Sequence, residues 1–333
     1  ENQTAIDTVT ATDADGSTLT YSLTGADASS VSISSSGVLT FNSAPDYETK
    51  NSYAITANVA DSDNTTTQDI TVNINNLNDN VPVISSGTSF NVNENQTDVG
   101  TVSASDADGD SLSYSLSGTD AGSLAISNSG VITFNSAPDY ETKTSYSITA
   151  AVTDGATSVS QNITISIVNL NDNSPVITSQ ATLSADENQT SIATLTATDA
   201  DGDSPTFSVS GSELTVTSGG VLTFASEPDY ETKTSYTATV TANDGANSTT
   251  QSITVSINNL NDNDPVFSTG TTFSADENQT SVIGTAAATD ADGDSVTFTT
   301  SSSDLSITSS GVITFNSVPD YETTTSYTAT ITA

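Results

Sequence analysis

The phrase Glu-Asn-Gln-Thr begins at Glu1, Glu94, Glu187 and Glu277, and it does not recur alone. Asp-Ala-Asp-Gly begins at Asp13, Asp106, Asp199 and Asp290; Pro-Asp-Tyr-Glu begins at Pro45, Pro138, Pro228 and Pro319. Asn-Asp-Asn-x-Pro begins at Asn78, Asn171 and Asn261, and successive copies of every phrase lie 90 to 93 residues apart. That period exceeds a solenoid repeat and suits a small autonomous domain. With boundaries just after Asn-Asp-Asn, the copies run over 1–80, 81–173, 174–263 and 264–333. On that phase the first copy lacks an opening strand and the fourth lacks a closing one. A lone domain of that kind would expose an unpaired ladder, so a longer repetitive parent chain is expected.

Between the landmarks the pattern has period two. In the second copy Leu112, Tyr114 and Leu116 alternate with serine, as do Tyr146, Ile148, Ala150 and Val152 with small or polar residues. Ile163, Ile165 and Ile167 continue the pattern. Alternation of β-branched and aromatic residues with small polar ones marks half-buried strands, and clusters of Gly, Asn, Asp and Ser mark the turns. About seven such strands in each copy predict an all-β chain of tandem immunoglobulin-like antiparallel sandwiches arranged as a linear rod.

Charge narrows the partners. The formal net charge is -38, from 41 acidic residues against Lys50, Lys143 and Lys233. Such a chain has nothing with which to neutralise nucleic-acid phosphates or an anionic membrane, and no run is apolar enough to span a bilayer. An excess of this size repels itself in a compact state, which makes divalent cations the natural counter-charge. With no Cys or His, zinc, copper and iron–sulfur sites are disfavoured, and thiol or imidazole catalysis is excluded. Paired carboxylates also serve glycosidases, but here they recur in every copy, whereas an active site occurs once. The chain is read as non-enzymatic.

The acids and amides suit a hard cation, which takes oxygen from carboxylates, carbonyls and Asn side chains. Asp139 and Glu141 flank Tyr140; in an extended segment both would face one ion while the tyrosine packs elsewhere. Asp-Ala-Asp-Gly offers a similar pair, although Asp-x-Asp-Gly alone is common turn chemistry. It is not an EF-hand loop, since the twelfth position from Asp106 is Ser117 and no helices flank it.

Taken together, the glutamate of Glu-Asn-Gln-Thr, the Asp-Tyr-Glu triplet, the Asn-Asp-Asn-x-Pro linker, the Asp-Ala-Asp phrase and a late aspartate resemble the cadherin repeat. The resemblance covers all four copies, with a Ser/Thr-rich texture similar to microbial cadherin-like surface proteins. It implies that the acids converge where consecutive copies meet, around calcium. On that basis the first junction takes Glu1, Asp46, Glu48, Asn78 and Asp79, a backbone oxygen of Asn80, and Asp106, Asp108 and Asp154 from the next copy. The second takes Glu94, Asp139, Glu141, Asn171, Asp172 and Asn173, then Asp199, Asp201 and Asp244. The third takes Glu187, Asp229, Glu231, Asn261, Asp262 and Asn263, then Asp290 and Asp292. One departure stands out: the family's linker usually carries an aspartate two residues before Asn-Asp-Asn, where this chain has Asn76, Asn169 and Asn259. That change is expected to weaken one ion per junction.

The function expected from the resemblance is an extracellular, cell-surface structural or adhesive rod or filament, stiffened by calcium, with homotypic chains or neighbouring repeats as partners. The alternative is a calcium-dependent carbohydrate-binding array on a surface polysaccharide. A binding array would set several aromatic side chains on one solvent face; a rod would bury nearly all of them.

Overall fold

The computed structural model describes residues 1–333, which divide into two compact units, residues 1–170 and 171–333. Strands dominate both, and the only helical pieces are two 3-10 turns, Ala28–Ser30 and Ala121–Ser123.

In the first unit, the alternating residues of the second copy form a four-stranded sheet in the order Ser113–Ser117, Ser145–Thr153, Ser158–Val168, Ser89–Asn93. A three-stranded sheet of Leu124–Ile126, Val131–Phe134 and Asp98–Thr101 faces it. Register places Ile148 opposite Ile163, Tyr146 opposite Ile165 and Val152 opposite Val159. Inward positions of both sheets, among them Val92, Val102, Ile132, Val152 and Ile165, close into one core. This is the sandwich that the alternation predicts. One pairing departs from the expected antiparallel pattern, because Ser89–Asn93 runs parallel to Ser158–Val168. The opening segment of the copy divides: Val83–Ile84 pairs with Ala104–Ser105, and Ser89–Asn93 then crosses to the edge of the larger sheet.

Residues 1–80 repeat the plan with three-stranded sheets, and Thr65–Asn73 forms a mostly exposed edge. Their core is smaller, built on Val31, Leu39, Phe41, Ile55 and Ile74. In the second unit, residues 174–263 reproduce the four-stranded sheet, again with a parallel edge pair, Thr182–Asp186 beside Ser248–Asn258. Residues 264–333 hold a small core around Ala286, Phe298 and Ile313. No strand over that core corresponds to Ser248–Asn258, and Phe273 and Tyr321 stand exposed there.

Each copy carries one edge-to-face aromatic pair: Phe41–Tyr53, Phe134–Tyr146, Phe224–Tyr236 and Phe315–Tyr327, with ring centroids 4.9, 4.8, 5.0 and 5.1 Å apart. The three lysines lie over these tyrosines, 4.8, 4.5 and 4.3 Å from the ring centres. Each also pairs with an acid: Lys50 with Asp27, Lys143 with Asp120 and Lys233 with Glu213. All of the chain's side-chain cations are therefore engaged within their own copies.

The turn before Val131–Phe134 requires glycine. Gly130 has φ of +81°, and a Cβ there would sit 2.2 Å from the Val102 carbonyl oxygen. Gly130→Ala is expected to cost about 1–3 kcal/mol or more, through the left-handed backbone and a clash with backbone that cannot move aside. Hydrogen exchange of Val131–Phe134 should quicken accordingly; unchanged protection would show that the turn relaxes without cost.

Candidate metal centre

The glutamate of Glu-Asn-Gln-Thr is the fixed point of each cluster. Glu94 and Glu187 are each only 2% exposed. The two carboxylate oxygens of Glu94 accept the backbone N–H of Tyr140 at 2.7 Å and of Leu170 at 2.8 Å. Glu187 accepts those of Tyr230 at 2.8 Å and Leu260 at 2.7 Å, and Glu1 those of Tyr47 at 2.6 Å and Leu77 at 2.7 Å. One side chain thus ties the Pro-Asp-Tyr-Glu segment to the linker, with lone pairs to spare on each oxygen.

That Pro-Asp-Tyr-Glu segment is a turn, which corrects the extended geometry expected for Asp139 and Glu141. The Lys143 N–H reaches the Asp139 carbonyl at 2.9 Å, as Lys50 reaches Asp46 and Lys233 reaches Asp229. The aspartate caps it: Asp139 accepts the Thr142 hydroxyl at 2.9 Å, and Asp46 accepts that of Thr49 at 2.8 Å. A capped turn brings the two acids together without strand alternation. Carboxylate oxygens of Glu1, Asp46 and Glu48 lie within 4.8 Å of one another, as do those of Glu187, Asp229 and Glu231.

In the first unit this cluster continues into the next copy, since Glu48, Asp79 and Asp108 also lie within 4.8 Å of one another. Asp108 Oδ2 accepts the N–H of Asp79 at 3.0 Å and of Asn80 at 2.8 Å, while Oδ1 accepts the Asn80 side-chain amide at 2.6 Å. The same amide reaches Asp79 at 3.1 Å and Glu48 at 3.3 Å. Asn78 donates to the Asp154 carbonyl at 3.1 Å. In the second unit Asp292 accepts Asp262 and Asn263 N–H at 3.0 and 2.8 Å, and the Asn263 amide at 2.8 Å. Asp201 is held alike by Asp172 and Asn173 N–H at 2.9 and 2.8 Å, and Asn171 donates to the Asp244 carbonyl at 3.4 Å.

The donor set fits a hard cation. It is made of oxygens throughout, and the buried Oδ2 atoms of Asp106, Asp199 and Asp244 have no hydrogen-bond partner. An orphaned carboxylate oxygen is costly unless it serves a ligand. Those oxygens suit calcium, which takes six to eight oxygen ligands from carboxylates, carbonyls and Asn side chains. The overlapping groups of the first unit bring together seven carboxylates, Glu1, Asp46, Glu48, Asp79, Asp106, Asp108 and Asp110, to be set against about six positive charges if about three calcium ions bind.

Sequence reasoning missed a set of amides. Asn2, Asn95, Asn188 and Asn278 all have positive φ, between 60° and 64°. The side-chain amides of Asn2 and Asn188 donate to Asp79 and Asp262 of their linkers. Asn247 donates to the Asn173 carbonyl at 3.3 Å. The signal was available: an asparagine follows the stapling glutamate four times, and asparagine tolerates the left-handed region better than other residues with a Cβ.

Residues 88–170 match the family model described as Cadherin domain, and residues 171–258 match that described as Bacterial Ig domain. One copy of the repeat, residues 88–170, is thus similar to the cadherin domain, and the chain is similar in sequence to cadherins and protocadherins. Protocadherin Fat 4 of Mus musculus is 36% identical over 163 residues, 43% of this chain and 3% of that protein. Cadherin EGF LAG seven-pass G-type receptor 2 of Mus musculus is 28% identical over 337 residues, 89% of this chain and 11% of that protein. The chain thus spans about a tenth or less of the length of these relatives. Among solved structures, Protocadherin Gamma B2 extracellular cadherin domains 1–5 superpose with a TM-score of 0.72 at 23% identity, covering 97% of this chain and 72% of that one. Mouse Cadherin-23 EC22–24 gives a TM-score of 0.58 at 26% identity, covering 77% and 92%. The cadherin-type sandwich inferred from the motifs is therefore the fold of the chain.

Protonation at the clusters runs in two directions. Burial, with Glu1 and Asp108 nearby, holds Glu48 above the ordinary glutamate value, and Glu231 is raised by burial with Glu187 and Asp292 beside it. Burial would also raise Asp108, but hydrogen bonds from the Asn80 amide and the N–H groups of Asn80 and Asp79 outweigh it and hold Asp108 low. Asp292 is held low by the Asn263 amide and N–H. Lowered groups contribute stability present above the ordinary value of 3.8 and lost as pH falls through their folded values. Raised groups contribute stability complete below 4.5 and lost as pH rises through their folded values. In chelator, Glu48→Gln and Glu231→Gln should therefore flatten the fall in thermal midpoint above pH 4.5. PH profiles identical to wild type would show that these glutamates do not repel their neighbours.

Proposed function

We propose that this chain is a segment of an extracellular structural or adhesive rod whose junctions are made rigid by calcium. The observation that carries this reading is the meeting of Glu48 from one copy with Asp79 of the linker and Asp108 of the next, all within 4.8 Å. Like charges placed that close oppose folding unless a cation joins them, and joining them makes the ion a cross-link between copies. The same residue types stand in the sequence at every later junction. The proposed ligands are those that the resemblance assigns. The cell-surface setting is proposed from the relatives named above, and no helix of the chain is long and apolar enough to cross a membrane.

Homotypic association is the partner we propose. One structural neighbour is titled Protocadherin gammaB7 EC3-6 cis-dimer structure, and repeated, self-similar surfaces suit like-with-like contact. A polysaccharide array would need rows of exposed aromatics, yet Tyr47, Tyr140 and Tyr230 pack against their cores. The exposed aromatics are Phe267, Phe273 and Tyr321, all in residues 264–333. That distribution favours the rod.

Calorimetric titration with calcium should show binding, and chelator should lower the thermal midpoint and alter the small-angle scattering profile reversibly. Asp79→Asn and Asp108→Asn should each weaken calcium at the first junction about tenfold or more, through loss of a charged ligand. No heat of binding at millimolar calcium, with scattering unchanged by chelator, would overturn the proposal.

A further inference from the structure

Asn76 and Asn259 stand in the linkers where the family usually carries an aspartate, and the structure gives them work that an aspartate cannot do. The side-chain amide of Asn76 donates to the backbone carbonyl of Asp108 at 2.8 Å, and that of Asn259 donates to the carbonyl of Asp292 at 2.8 Å. Each bond runs from the linker of one copy to the acidic loop of the next. It grips an aspartate whose carboxylate is already held by the N–H groups three and four residues further along the linker. A single five-residue stretch, 76–80, thus fastens Asp108 at both its backbone and its side chain. A carboxylate at position 76 has no hydrogen to donate, so it would set oxygen against the Asp108 carbonyl oxygen and add charge to a crowded cluster.

We infer that Asn76 and Asn259 are positioning residues. They act as neutral latches, donating to seat the next copy's acidic loop on the linker with or without a cation. Neither is a cation ligand through its amide oxygen. The departure from the family pattern is then an exchange of one charge for a metal-independent hydrogen bond. Any consequence for calcium affinity rests on the function proposed above, whereas the consequence in chelator does not.

The test uses the full chain with Asn76→Asp, Asn76→Leu and Asn259→Asp. Asn76 and Asn259 are exposed, so the substitutions leave the cores untouched. Hydrogen exchange by mass spectrometry in chelator reads the seating of the loops, and calcium titration reads the sites. Both Asn76 variants should exchange about fivefold faster than wild type over residues 78–82 and 104–110, in keeping with the modest net worth of one exposed hydrogen bond. Asn259→Asp should do the same over 261–265 and 288–294. Asn76→Asp, despite its added charge, should bind calcium no more tightly than wild type. Tighter calcium in Asn76→Asp with exchange in chelator unchanged would make the side chain a ligand and overturn the inference. Exchange in Asn76→Leu equal to wild type would overturn it too. If wild type took up no calcium, the proposed function would fall while the chelator comparison would still decide the latch.

Discussion

A buried carboxylate that accepts two backbone amides is the interaction on which each cluster depends. Glu94 and Glu187 are almost wholly withdrawn from solvent, and no lysine is near enough to pair with them, since all three are engaged elsewhere. An ionised carboxylate buried alone would cost several kcal/mol. Two N–H dipoles offset that cost, and they come from segments far apart in sequence, the Pro-Asp-Tyr-Glu turn and the linker. The path of the linker is thereby fixed by one buried side chain. Asp79 and Asp262 follow Leu77 and Leu260 by two residues, so the staple also decides where these linker acids arrive.

Orientation and neutralisation are separate tasks here, and different groups perform them. Amides from Asn80, Asn263, Asn2 and Asn188 point donors at the linker and loop carboxylates. They fix each oxygen in place and hold Asp108 and Asp292 ionised, yet they remove no charge. The asparagine-rich linkers, Asn75-Asn-Leu-Asn-Asp-Asn80 in the first copy, supply orientation without adding repulsion. What remains is a set of aligned, ionised and incompletely satisfied oxygens, which is the state a divalent cation requires of its ligands.

The sandwich was legible because its signal is local and repeated. Tyr146, Ile148 and Val152 alternate along one strand and face a common core in the structure. Two features were not legible. Parallel pairing of Ser89–Asn93 depends on a strand crossing between sheets, and alternation carries no information about direction. The Asp139–Glu141 pair was expected from strand geometry, but a capping contact from Asp139 to Thr142 three residues on closes a turn instead. The candidate ligands themselves emerged from recurrence in fixed order, whereas the role of Asn76 did not, because its partner is a backbone carbonyl with no residue identity to read.

Part of each cluster is built within a single copy, and the linker adds the rest. Asn278 keeps its left-handed φ of 64°, and its N–H still reaches the Pro319 carbonyl at 3.0 Å, as Asn2, Asn95 and Asn188 reach Pro45, Pro138 and Pro228. Glu277 accepts the Tyr321 N–H at 2.8 Å, as the glutamates of the other copies accept Tyr47, Tyr140 and Tyr230. A left-handed asparagine costs about 1 kcal/mol and persists only where its surroundings over-determine it. Since the same bond recurs beside the same φ in all four copies, the over-determining contact is the bond to proline within the copy. The glutamate beside it is therefore aimed by contacts within its own copy, and the linker amide adds a second hold on the same side chain. Preorganisation of that kind lowers the ordering cost of assembling ligands from two copies. It places the remaining resistance in charge repulsion, the one term that a cation relieves directly.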